Sequence, residues 1–513
     1  MMNRLPICFK SKSFLSVALC LFVFTGILCP GKLFAETAIY ATGDNQGYVT
    51  HYELDKNTHD VTFYSSPKTP EPIAHSQNRQ NPPAIDNREY TTHFFIDDDY
   101  THYTPKKAES VTVVRHGKGI TATAAIKIGD KEMAWNELLG FDYQPTESDK
   151  DINHYTLGRP GDSNMIDLLA PLLAKDDPIL QKYGFGARGR DDAAQLAKMG
   201  ANFIRLYYLP IQDPKEVAGV KEILNSIYEK HGIRVIIGFW AGQHAFPGMP
   251  AFPEGAKDGK EKSKAEIAAL RPEIERIKPL VLESARKLVD TYSDLLGALA
   301  FDIGNEGNYH VMGGPEWSLW KRMPFDLVKY FKFMAEVGNA VKDEQRKLGI
   351  PHPVFLGFGA GMVLHTYNPN LPAGQTEMDL VAKYDKVFDG LGANLYIGGA
   401  HAGSREGDDQ FRQFISLTAK AGFPVFITES GAPTNKGVAV AIDYFERILR
   451  LALETATDLP GHLLGLAAFE ATDEGWKAGL GETAYGFLDE NGNLKAPAFS
   501  NILLNYLARK PAP

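Results

Sequence analysis

The chain has 513 residues, 44% of them hydrophobic and 11% aromatic, with a formal charge of −9 and three cysteines. The acidity disfavours nucleic acid and anionic membrane surfaces as partners, and a chain of this size can bury a core without disulfide staples. All three cysteines, Cys8, Cys20 and Cys29, fall within the first 35 residues, so the rest of the chain offers no thiol for a disulfide or a metal.

Arg4, Lys10 and Lys12 precede an apolar run of 16 residues from Phe14 to Cys29, and a short segment then leads to Ala35 and Glu36. This pattern predicts a secretory signal over residues 1–35, the run being short for a membrane span. An uncleaved anchor is the alternative, and a lipid anchor is disfavoured because no small residue precedes Cys20 or Cys29 directly. The segment carries four basic residues and no acidic ones, so its removal takes the formal charge from −9 to −13. The mature chain is expected to be secreted or periplasmic and free of the membrane.

Residues 36–130 are polar and rich in Tyr, Thr, His and Asp, with alternating pieces such as Gly47–Glu53 and Ser110–Arg115. They predict a β-rich accessory region, interrupted by the proline-rich segment Ser66–Pro83. From residue 131 to 513 strand and helix signals alternate. The first strand is expected within Ala134–Tyr143, followed by a long loop from Thr146 to about Arg188. A helix over Arg190–Met199 leads to a second strand at Ala201–Tyr208. Asp213 and Pro214 form an N-cap and first-turn pair for a helix ending at Gly232. The third strand is Ile233–Trp240, and a long helix follows at about Ala265–Leu295. A fourth strand ends before Glu306, then come a helix at Phe325–Leu348 and a fifth strand at Val354–Phe358. The sixth strand is Leu391–Tyr396, with a helix at Asp409–Ala421 after it. The seventh strand ends at Glu429 and the helix Val438–Thr455 follows. The eighth is Leu463–Glu470, and a closing helix covers Pro497–Leu507. Eight strand-helix units in succession predict a closed α/β barrel of the (β/α)8 (TIM) type, with reacting groups on the loops at the strands' C-terminal ends. A doubly wound open sheet would carry a glycine-rich phosphate turn after its first strand, and none is present.

Two stretches carry the chemistry. Leu299–Ile303 is an apolar run that breaks at Gly304 into Asn305 and Glu306, and Phe423–Thr428 runs straight into Glu429 and a Gly/Pro loop. The two glutamates are 123 residues apart, which accommodates three strand-helix units of about 40 residues, against ~31 for an insertion-free barrel. They fit strands four and seven. Glycoside cleavage needs one carboxyl to protonate the departing oxygen and a second to face the anomeric carbon, so the pair suits that reaction. Burial or a neighbouring carboxylate would lift the acid's pKa to a useful value.

Gly304-Asn305-Glu306 resembles the acid/base motif of the retaining (β/α)8 glycoside hydrolase clan that includes families 2, 5, 17 and 72. The resemblance implies that Glu306 is the acid/base, Glu429 the nucleophile and Asn305 the ligand of the sugar 2-hydroxyl. It further implies that Arg205 and Tyr396 hold the nucleophile ionised and oriented. Phe469–Lys477 and Tyr485–Lys495, the latter with Asn491-Gly492 at its turn, look most like the eighth strand and following hairpin of family 17 β-1,3-glucanases. Gly140–Pro145 is similar to the first strand of family 72 β-1,3-glucanosyltransferases. The resemblance covers roughly residues 133–510. Departures are Ala432 where family 17 has Trp, Gly307 for Val, Thr472 for Phe and Gly475 for Pro, which bear on the sugar subsites more than on the carboxylates.

Sugar rings present apolar faces, so aromatic platforms are expected among Tyr143, Tyr207, Tyr208, Trp240, Tyr309, Trp317, Tyr396 and Trp476, all near strand ends. Tyr143, Tyr208, Tyr396 and Trp476 are the favoured four. Glu470, Asp473 and Lys477 form a candidate polar network. His244, His310, His365 and His401 lack metal-ligand spacing, so no metal and no cofactor are expected. The expected activity is retaining hydrolysis of a β-glucan, most readily a β-1,3-linked one, with an oligo- or polysaccharide as partner. A transglycosylase using the same glutamates and an idle carbohydrate-binding barrel are the alternatives.

Overall fold

The computed structural model describes residues 39–42, 48–54, 61–67, 91–96, 101–106, 108–116, 123–143, 165–239, 264–306, 308, 327–360, 375–396, 406–474 and 483–507. The signal-like residues 1–35, and with them Trp240, Tyr309, Trp317, Trp476, Lys477 and the four histidines named above, lie outside the described residues. Met1–Lys107 and Ala108–Pro513 are two compact units. The first contains a five-stranded sheet. Tyr48–Leu54 pairs antiparallel with both Ile39–Thr42 and Val61–Pro67, and Thr91–Ile96 pairs antiparallel with Thr101–Lys106. The alternating segment expected at Gly47–Glu53 is thus a strand over its described residues, from Tyr48 on.

The second unit is a closed barrel of eight parallel strands. They are Leu139–Asp142, Phe203–Leu206, Arg234–Phe239, Ala298–Ile303, Val354–Gly359, Gly390–Asn394, Val425–Glu429 and Leu463–Ala468. Each pairs with the next, and the eighth closes on the first through Leu466↔Leu139 and Ala468↔Phe141. All eight fall where the sequence places them. Seven are buried at every residue, and the third departs only at its first. Helices cover the outward side chains and the pleat turns the alternate ones to the axis, which is why the strands read as continuous apolar runs.

Local chemistry explains the helices. The Asp213 carboxylate accepts from the backbone N–H of Lys215 and Glu216 at 2.8 and 3.0 Å, Pro214 opens the first turn, and Gly232 ends the helix Pro214–His231 with φ near +70°. The same signature recurs at Asp177 and Pro178. The stretch expected to be loop from Thr146 to Arg188 includes helices at Met165–Leu169 and Pro178–Tyr183. The second is capped by Asp177 at its start and closed by left-handed Gly184.

The barrel interior is layered. Near the strands' N-terminal ends Phe203, Phe355 and Phe426 meet edge-on or tilted, with ring centroids 5.2 and 5.7 Å apart. They form one cluster with Val111, Ala124, Ile126 and Ile128 of a three-stranded antiparallel sheet, Val111–His116, Thr123–Ile128 and Lys131–Met133. These residues, grouped in sequence with the amino-terminal region, belong to the barrel unit and close its floor. Arg115 fastens the sheet by donating to the backbone carbonyls of Gly422 and Asp389. One layer up the interior changes character, because glycines make room for charge. A Cβ on Gly392 would lie 2.3 Å from Asp302 Oδ1, and one on Gly357 would lie 2.2 Å from the carbonyl oxygen of Gly304. Within the glycine-rich run, Gly357 therefore serves close packing against the segment that leads to Glu306, as the composition suggested.

Candidate active site

Strand two supplies the centre of the site. Its pleat turns Phe203, Arg205 and Tyr207 toward the axis and Ile204, Leu206 and Tyr208 toward the helices. The Arg205 guanidinium is 1% exposed, so its five donors must find partners inside the protein. Nε donates to Asp302 Oδ2 at 2.9 Å, Nη1 to Asp142 Oδ1 at 3.1 Å and to Glu429 Oε1 at 2.8 Å, and Nη2 to Asn305 Oδ1 at 3.1 Å. The guanidinium also lies over the Tyr207 ring, 4.3 Å from its centroid. One cation thus faces three carboxylates, from strands one, four and seven.

Glu429 ends strand seven, where the register with strand six slips between Ala393 and Asn394, and it is 5% exposed. Its Oε1 accepts from Arg205 and from the Tyr207 hydroxyl at 2.6 Å, and its Oε2 accepts from the Tyr396 hydroxyl at 3.0 Å. Three donors aimed at one carboxylate leave it one orientation. Both phenols are pushed well above the usual tyrosine range, by burial first and by nearby carboxylate charge after it, so they remain donors. The charge of Glu306 is among those acting on the Tyr396 hydroxyl. The two glutamates therefore act on one phenol at the C-terminal end of the barrel. Glu306 itself follows strand four by three residues, with φ near +51°, after Gly304 at +86°. Asn305 Oδ1 accepts from Arg205 and from Asn394 Nδ2 at 2.9 Å, which fixes its amide beside the nucleophile candidate.

The structure brings Arg205, Asn305, Glu306, Tyr396 and Glu429 together at the C-terminal end of the barrel. Two of the expected aromatic platforms are corrected. Tyr143 is fully buried and donates its hydroxyl to Asp192 at 2.8 Å, so it offers no ring face to a sugar. Tyr208 packs against the core on the helix side, within electrostatic reach of Glu216 and Tyr292. The residue that reaches the site is its neighbour Tyr207. Period-two alternation from Arg205 would have selected it, and would equally have selected Asp142, Asp302 and Asn394 from their strands. In the candidate polar network, Asp473 pairs with Lys495 at 2.5 Å and accepts from the backbone N–H of Gly486. The Asn491-Gly492 turn forms as expected, with Gly492 at φ near +81° and the Asp489 carboxylate accepting from Asn491 and Asn493.

Burial raises the carboxyls of Asp142 and Asp302, with Glu429 adding to both and Arg205 opposing. Asp302 is pushed up to about 6, and its Oδ1 has no hydrogen-bond partner among the described residues. Desolvation outweighs the guanidinium here because one positive charge is shared among three negative ones. A carboxyl whose pKa is raised in the fold takes up a proton on folding. It stabilises the fold below the unfolded value near 3.8, and that contribution is lost as the pH rises through about 6. Asp302→Asn, which copies the neutral form, should therefore gain in Tm on the native chain between about pH 5 and 7. Parallel thermal melts decide the matter, and a gap that stays flat or closes over that interval counts against this account of Asp302.

No protein-family model matches the chain, and no curated protein matches it. Among solved structures the chain is similar to GH5_18 from Streptomyces cattleya in complex with GlcNAc, at 14% identity and a TM-score of 0.46, over 74% of this chain and 83% of that one. It is also similar to the exo-beta-1,4-mannosidase Op5Man5 from Opitutaceae bacterium strain TAV5, at 14% and 0.45 over 74% and 61%. A third is the family 1 b-glucosidase from Thermotoga maritima, at 12% and 0.47 over 74% and 99%. These are likenesses of barrel fold.

Proposed function

We propose that this chain is a retaining β-glycosidase acting on a β-glucan, with Glu429 as nucleophile and Glu306 as acid/base. The supporting observation is the grip on Glu429, whose two carboxylate oxygens are held by Arg205, Tyr207 and Tyr396. Such a grip gives a nucleophile a single line of attack. In the first step Glu429 attacks the anomeric carbon while Glu306 protonates the departing oxygen, giving a covalent glycosyl-enzyme. In the second, Glu306 takes a proton from water, which displaces Glu429 with the configuration retained. Asn305, oriented by Arg205 and Asn394, holds the 2-hydroxyl of the sugar. Linkage is the finer part of the proposal. The 1,3 choice rests on the eighth-strand and hairpin motifs similar to family 17, and export rests on the signal-like residues 1–35.

The test is a screen of β-1,3-, β-1,4- and β-1,6-linked glucans and mannan with the native chain and Glu429→Gln side by side. Release of reducing sugar from β-1,3-glucan by the native chain alone is expected. Sugar release from none of the four, together with normal glucan binding by Glu306→Gln, would instead identify a binding barrel. With laminari-oligosaccharides, products longer than the substrate would mean that a sugar hydroxyl rather than water resolves the intermediate.

A further inference from the structure

We propose that Asn308 and Glu377 form a clasp that positions Glu306 as proton donor; the inference rests on the acid/base reading above and deepens it. Glu306 occupies the left-handed backbone region with φ near +51°. For a side chain with a Cβ that region is strained and persists only where the surroundings over-determine it. Asn308, two residues on and fully buried, supplies that constraint. Its Nδ2 donates to the carbonyl of Gly359 and to Glu377 Oε2, each at 2.9 Å, while its Oδ1 accepts from the Gly359 N–H at 2.7 Å. The amide thus pairs with both backbone groups of the residue that ends strand five.

Glu377 is 3% exposed and opens the helix Glu377–Val381. Its place is set by the turn before it, where Thr376 and Asp379 bond reciprocally between backbone and side chain. On the other side Gly304 is backed by Met334 and Tyr330 of the helix Leu327–Leu348. The acid/base turn is therefore held at both ends, by a glycine against a helix and by an amide against strand five. An amide is required at residue 308. A carboxylate would put lone pairs against the Gly359 carbonyl and Glu377, and an apolar side chain would leave three buried polar groups without this partner.

Asn308 touches neither water nor sugar in this scheme, so its effect should appear only where proton donation matters. The measurement is kcat/KM, which reports the glycosylation step, on 2,4-dinitrophenyl and phenyl β-laminaribiosides. The dinitrophenolate departs without a proton and the phenolate needs one. Asn308→Ala and Asn308→Asp should lose about 10²-fold on the phenyl glycoside, the scale of a misplaced catalytic group, and only a few-fold on the dinitrophenyl one. Glu377→Gln keeps the volume and removes the charge, and should shift the same ratio in the same direction by less. It keeps the proposal open to refutation if either Asn308 variant fails to fold. Equal losses on both substrates would mean that Asn308 is merely structural and would overturn the clasp. Glu306→Gln, run beside them, separates the two claims. If it matches the native chain on the phenyl glycoside, the acid/base assignment falls and the clasp with it. If it fails there while the Asn308 variants match the native chain, only the clasp falls.

Discussion

Glu429→Gln is expected to lower kcat by roughly 10⁴- to 10⁶-fold, the range seen when a covalent nucleophile or its partner is removed, without lowering Tm. The physical reason lies in the crowding around Arg205. With Glu429 neutral, the guanidinium still answers Asp142 and Asp302, and one of the influences raising both carboxyls is gone. The glutamine carbonyl can accept from Arg205 and Tyr207 as Oε1 does, and its amide can face the Tyr396 oxygen, because a phenol accepts as well as donates. Two measurements check this. A 2-deoxy-2-fluoro glycoside with a good leaving group should add one glycosyl mass to the native chain and none to Glu429→Gln, and calorimetry should find the variant's Tm no lower. A variant that labels as fast as the native chain would remove Glu429 from the reaction.

Arg205 should show the opposite balance, a loss of stability as large as its loss of activity. Arg205→Leu leaves three buried carboxylates with no guanidinium between them, and removing one partner of a buried ion pair costs about 3–5 kcal/mol. Arg205→Lys keeps the charge. A single ammonium cannot reproduce a planar fork that reaches Asp142, Asp302, Asn305 and Glu429 from three nitrogens. We expect Arg205→Lys to recover part of the stability and little of the rate, with kcat at least 10²-fold down because Glu429 and Asn305 both lose alignment. Denaturant unfolding and steady-state kinetics on one preparation provide the comparison. A lysine variant with native kcat would mean that charge alone is needed at residue 205.

Much of this was legible in sequence because strands buried on two faces leave an unmistakable trace. Leu299–Ile303 and Phe423–Thr428 each run apolar to a glutamate, and both glutamates lie at the C-terminal ends of their strands, as that pattern implies. The aromatic platforms were harder to read. Tyr207 and Tyr208 are adjacent and chemically identical, and only the direction of the pleat distinguishes a hydrogen bond to Glu429 from a packing contact on the helix side. Tyr143 directly follows strand one, yet it turns outward to Asp192, where Arg190 also pairs. The helix Pro178–Tyr183 shows a different failure, since its Asp-Pro cap was in plain view but its six residues are too few for periodicity to register.

The sequence by itself determined the order of eight strands and the two that carry glutamates, because burial periodicity and strand length are local properties. Only the tertiary structure decided that Asp142, Asp302 and Glu429, drawn from strands one, four and seven, would share a single guanidinium. It also decided that Asn308 would close on the end of strand five. The first depends on barrel closure, which sets Arg205 within hydrogen-bond reach of Glu429, 224 positions away, and the second on the pairing of strands four and five; no local pattern records which inward side chains the closed cylinder will bring face to face.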